Sequence, residues 1–102
     1  MDGGEEKVSP LFKVMFRILF SSHGESAFGA LPEKIQQRVT EELARLARDT
    51  LWFRRVRKLG GSENRYRLRI GRWRVLFWLR GDIIEIADIF FKKERGDYRR
   101  RK

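Results

Sequence analysis

The chain has 102 residues, enough for one domain with a modest core and too few for two. It has no cysteine, which excludes a disulfide framework and any thiolate metal site and is compatible with a reducing compartment. The formal charge of +10 is unevenly placed: residues 1–50 hold 7 Lys+Arg against 8 Asp+Glu, and residues 51–102 hold 17 against 6.

A basic field of that size on a small domain attracts polyanions, so nucleic acid, an anionic membrane surface and an acidic protein are the candidate partners. The basic residues alternate as in strands instead of lining an amphipathic helix, which disfavours the membrane. Apolar runs are broken well before the ~20 residues that span a bilayer, and the N-terminus opens with acidic residues, so a soluble, cytoplasmic protein is expected.

Residues 1–10, MDGGEEKVSP, show no apolar periodicity and read as a flexible tail; residues 11–102 read as a single domain. LFKVMFRILF, residues 11–20, suits a buried or half-buried strand. Ser21 and Ser22 can cap a short helix over 23–30, although Gly24 and Gly29 lower its propensity.

Pro32 suits the first turn of a second helix, about 33–48, in which Ile35, Val39, Leu43, Leu46 and Ala47 recur every three or four residues. Its other face carries Lys34, Arg38, Glu41, Glu42, Arg45 and Arg48, a solvated face in which Glu41 and Arg45 form an i,i+4 pair. LWFRRVRKLGGSEN then leads through a Gly-Gly turn into a three-strand meander.

In the first two strands Tyr66, Leu68 and Ile70 share one face with Trp73, Val75, Phe77 and Leu79, and Gly71-Arg72 is the two-residue II′ turn between them. Gly81-Asp82 is a second such turn, before IIEIADIFF. A strict register there would put Asp88 on the core face, so a bulge or longer loop is expected. Trp73, Phe77, Phe90 and Phe91 read as core aromatics. The expected fold is α+β, two N-terminal helices packed on a mainly antiparallel four-stranded sheet.

The same hairpin register sets Arg69 opposite Arg74, with Arg67 diagonal to it, on the face away from the core. Like charges directly opposite cost a few tenths to about 1 kcal/mol per pair, so folding alone does not favour the arrangement. Surface arginines can serve solubility and keep sheet edges apart, but clustered guanidinium groups suit forked recognition of phosphate. Arg65, Arg72 and Lys92 extend the basic surface, and Trp78 falls on its side as a base-stacking candidate.

Other chemistry is sparse. Gly60, Gly61, Gly71 and Gly81 make no phosphate-loop or dinucleotide fingerprint, so no small-molecule cofactor is expected, and no metal-ligand pattern is present. His23 is the only histidine and is far in sequence from the basic half. Glu85 and Asp88, three apart on a strand, should face opposite sides.

FRILFSS, LPEKIQQRVTEELARLARD, RKLGGS, YRLRIGRWRVLFWL and KKERGDY, in this order and spacing, make residues 16–98 resemble the RelE/ParE superfamily of type II toxin-antitoxin toxins. The closer likeness is to the RelE-like, ribosome-dependent messenger-RNA endonucleases. The resemblance implies a RelE-like toxin, held by a cognate antitoxin, that enters the ribosomal A site and cleaves messenger RNA by metal-independent attack of a 2′-hydroxyl on phosphorus.

It implies that Arg67 and Arg69 bind and polarise phosphate and that Arg74 stabilises the transition-state charge. Within KKERGDY it implicates Tyr98 and one of Lys93 or Arg95, with Lys92, Lys93 and Tyr98 as the groups able to exchange a proton. Two alternatives remain at this stage: a ParE-like toxin that binds DNA gyrase without catalysis, and a plain nucleic-acid-binding module.

Overall fold

The computed structural model describes residues 15–61 and 63–93, so the proposed tail and residues 11–14 of the first predicted strand lie outside it. The chain runs β1 (Arg17–Phe20), α1 (Ser22–Gly29), α2 (Glu33–Arg48), a 3₁₀ turn (Trp52–Arg54), β2 (Val56–Lys58), β3 (Arg65–Ile70), β4 (Trp73–Arg80) and β5 (Ile83–Phe91). The sheet order is β1-β5-β4-β3-β2, with β1 parallel to β5 and every other pair antiparallel. The class is the expected α+β with two helices, but the sheet has five strands instead of four, because VRK pairs with β3 as an edge strand.

α1 forms despite its glycines. Ser21 caps it, its Oγ accepting from the Gly24 amide at 3.0 Å, while the Ser21 amide donates to the Ile86 carbonyl at 3.0 Å. A Cβ on Gly24 would lie 2.1 Å from that same carbonyl oxygen. The residue that weakens the helix is therefore the one that lets it lie against the β5 backbone.

α2 spans the predicted residues and buries Val39, Leu43, Leu46 and Ala47, with Ile35 partly buried. These pack with Leu68, Ile70, Val75, Phe77, Ile84, Ile86 and Ile89 in one core. On the solvated face Arg45 pairs with Glu42 at 2.7 Å, one turn position closer than the expected Glu41. Trp52 of the 3₁₀ turn links the core aromatics, edge-on to Phe16 at 5.4 Å and to Tyr66 at 5.5 Å, and Tyr66 stacks on Phe77.

Both predicted two-residue turns are present. Gly71 and Gly81 each have φ +61°, no other residue type has positive φ among those described, and Ile70 faces Trp73 as Arg80 faces Ile83. The irregularity in β5 lies away from the Gly81 turn: Phe77 faces Ile86 while Leu76 faces Asp88, so Ala87 is the extra residue of a bulge. The bulge turns Ile89 into the core and Asp88 out of it, as the sequence pattern demanded. It also reverses one expectation, since Glu85 opposite Trp78 and Asp88 opposite Leu76 now share a face.

Candidate functional site

The sheet face away from the helices collects the arginines. In register order it carries Arg57 of β2 opposite Arg67 of β3, Arg69 of β3 opposite Arg74 of β4, and Arg65 of β3 opposite Trp78 of β4. Two directly opposed like-charge pairs thus lie on one surface, where the sequence revealed only one. Arg57 was missed because its three-residue strand carries no periodic signal of its own.

Arg74 is the centre of this surface. It is 6% exposed, the one buried charged side chain among the described residues. Its Nη1 donates to the carbonyls of Gly71 at 2.9 Å and Trp73 at 3.0 Å, which draws the guanidinium toward the tip of the β3–β4 hairpin. Its Nε is buried and has no hydrogen-bond partner among the described residues. Burial first, and then the charges of Arg69, Arg67 and Arg72, hold its pKa below the usual guanidinium value. A buried cation with an unused donor, whose charged neighbours are all cations, is suited to hold an anion.

Around the tip, the β4–β5 ladder continues past β5, with the Lys92 amide donating to the Arg72 carbonyl at 2.7 Å and Arg72 Nη2 donating to the Lys92 carbonyl at 3.2 Å. The start of KKERGDY is thereby fixed beside the arginines, and Lys93 is exposed there. Arg95 and Tyr98 lie outside the described residues. From the helical side the Arg38 guanidinium reaches the tip, 3.5 Å from where a Gly71 Cβ would stand, so the solvated helix face contributes a cation that its sequence pattern did not single out.

Two aromatics read as core are exposed: Phe90, opposite Arg74 on the open face, at 40%, and Phe91 at 47%. The bulge and the strand end explain both, since Ile89 takes the core position before them. Trp73 is half-buried against the core, and Phe77 is buried in it, as expected.

Trp78 lies half-buried on the arginine side, as expected, with the guanidinium carbons of Arg65 and Arg80 at 5.4 and 4.9 Å from its ring. Arg80 Nε donates to Glu85 Oε1 at 3.1 Å. His23, remote in sequence, meets Asp88 at 3.1 Å. Asp88 is opposite Leu76, beyond Arg74 in the direction away from the hairpin tip, so the pair stands apart from the Arg74 guanidinium.

Among the described residues no helix is long and apolar enough to cross a membrane, and no three His, Asp or Glu are grouped to hold a metal ion.

No family model matches the sequence, and no curated protein does. Solved structures do match. The RelBE2 toxin-antitoxin complex from Mycobacterium tuberculosis superposes with a TM-score of 0.67 at 20% identity, covering 78% of this chain and 100% of that one. The isolated E. coli RelE toxin gives 0.68 at 10% identity, over 84% of this chain and 94% of its own. An archaeal RelE-RelB complex from Pyrococcus horikoshii gives 0.64 at 23% identity, over 78% and 98%. The fold of this chain is RelE-like.

Proposed function

We propose that this chain, folded as the RelE toxins are, is the toxin of a type II toxin-antitoxin pair and acts as a ribosome-dependent endoribonuclease that cleaves messenger RNA in the A site. The observation that carries the reading is Arg74: a guanidinium buried among other guanidiniums, with its Nε turned to no partner among the described residues, in a surface that strand register makes costly to fold. The likeness to solved RelE toxins supports the choice of RNA phosphate over other anions.

In the proposed reaction the 2′-oxygen of one nucleotide attacks the adjacent phosphorus, losing its proton to a base. The bond from phosphorus to the 5′-oxygen breaks, and that oxygen takes up a proton. The products are a 2′,3′-cyclic phosphate and a 5′-hydroxyl. No redox partner is needed, and the chemistry asks for charge stabilisation and two proton transfers.

Arg67 and Arg69 bind the phosphate, with Arg57 and Arg72 at its margins. Arg74 Nε donates to the oxygen that gains charge in the pentacovalent state. Arginine holds its proton too tightly to act as the base, so the transfers fall to Lys92, Lys93 or Tyr98, in the segment that also carries Arg95. Phe90, exposed beside Arg74, offers a face to the base next to the cut.

The partner that restrains the toxin is an antitoxin with an acidic segment, which the positive second half of the chain would draw in. The site of action is then the cytoplasm, where ribosomes translate.

The test is to add the protein to a translating extract and map messenger-RNA 5′ ends. Cuts in A-site codons that vanish with Arg74→Ala support the nuclease. Intact messenger RNA with trapped gyrase–DNA complexes would establish the ParE-like alternative instead. Intact RNA with neither effect would leave a binding module.

A further inference from the structure

The open face holds a second built feature, and the proposed chemistry leaves it unused. Trp78 is four positions from Arg74 on the same side of β4, roughly 13 Å along the strand at ~3.3 Å per residue, away from the hairpin tip. An indole half-exposed on a cationic surface, with two guanidiniums on it and a carboxylate opposite in register, is an arrangement that core packing does not require.

We infer that Trp78, Arg65, Arg80 and Glu85 form a nucleobase subsite, separate from the scissile-phosphate site, that prefers an amino-bearing pyrimidine to a keto one. The inference rests on the proposed function only in taking RNA as the ligand.

Each component has a job. The indole face stacks a base, an interaction open to every base and stronger than an exposed cation–π contact, so an incoming base displaces a guanidinium from the ring. A displaced Arg65 is free to take the neighbouring phosphate. Arg80 differs, because its Nε is tied to Glu85 Oε1 and so holds the carboxylate of the residue opposite Trp78 in register.

Glu85 Oε2 has no partner among the described residues and can only accept. It therefore suits the N4 amine of cytosine and opposes the O4 carbonyl of uracil. The cross-strand register that places Glu85 there depends on the strict two-residue Gly81 turn, which sets the β4–β5 pairing as far as Phe77 and Ile86.

The test uses full-length protein and 2′-O-methyl octamers of cytidine and of uridine, which cannot undergo 2′-attack, with an abasic phosphodiester octamer as the third probe. Binding is read at fixed salt. The wild type should bind the cytidine octamer severalfold tighter than the uridine one. Trp78→Ala should weaken the cytidine octamer roughly tenfold while leaving the abasic chain unchanged, and Trp78→Phe should restore most of the loss.

Glu85→Gln should bring the two octamers to similar affinity, because an amide presents both donor and acceptor. Circular dichroism on each variant separates lost binding from lost fold. Equal binding of the cytidine octamer by wild type and a folded Trp78→Ala, or an equal loss for the abasic chain, would overturn the subsite. An unchanged cytidine-to-uridine ratio in Glu85→Gln would overturn the base preference. Since these probes are not cleaved, the subsite can stand or fall independently of the nuclease.

Discussion

At the scale of single residues, one position sets function and fold against each other. Arg74 is buried with repulsive neighbours and has no ion-pair partner among the described residues, so an apolar side chain of similar length removes both its desolvation cost and the like-charge repulsion. Arg74→Met is therefore expected to raise stability by about 1 kcal/mol, roughly 4–8 °C in Tm for a domain of this size, while abolishing RNA cleavage. A thermal melt beside the extract assay checks both halves, and a lower Tm would mean that the guanidinium is a structural tie to Gly71 and Trp73. Gly24 is the opposite case, a residue kept for packing alone. Gly24→Ala forces a methyl into the Ile86 carbonyl and should cost about 1–3 kcal/mol in urea unfolding, although alanine is the better helix former.

At the scale of elements, one carboxylate ties together the two ends of the connection from α2 to β2. Asp49 follows α2, accepts from the Leu51 amide and pairs with Arg55, and the Arg55 hydrogen bond is the main reason its carboxyl sits below the ordinary value of 3.8. A depressed carboxylate stabilises the fold fully above its unfolded pKa, and that contribution disappears as pH falls through the folded one. A carboxyl NMR titration should place Asp49 below the usual range in the wild type and return it toward 3.8 in Arg55→Gln. No movement between the two would leave the pairing without effect.

The elements also show where sequence reading succeeds. α2, both glycine turns and the Arg69–Arg74 opposition were legible, because helical period, turn chemistry and the two-residue strand period are local. β2 was not, since three residues are too few to show alternation. Asp88 announced a bulge by being polar where the pattern wanted an apolar residue, but only the fold located it at Ala87. The burial of Arg74, the arrival of Arg38 at the tip and the His23–Asp88 pair, 65 residues apart in sequence, depend on tertiary packing and left no sequence signal.

At the scale of the whole molecule, the helices and the core occupy one side of the sheet and leave the other to charge. That division gathers Arg57, Arg65, Arg67, Arg69, Arg74 and Arg80 on one face, where a bound polyanion would neutralise their mutual repulsion. On the proposed reading, RNA would lie along this face from the hairpin tip, where the Lys92 backbone is tied to Arg72, toward Trp78.

The proposed chemistry is tested most directly on ribosomes programmed with a messenger RNA carrying a single 2′-deoxy nucleotide in the A-site codon, on the 5′ side of the mapped cut. The expected result is cleavage of the all-ribose message to a 2′,3′-cyclic phosphate end and no cleavage of the deoxy message. Cutting of both messages alike, or of neither, would contradict it.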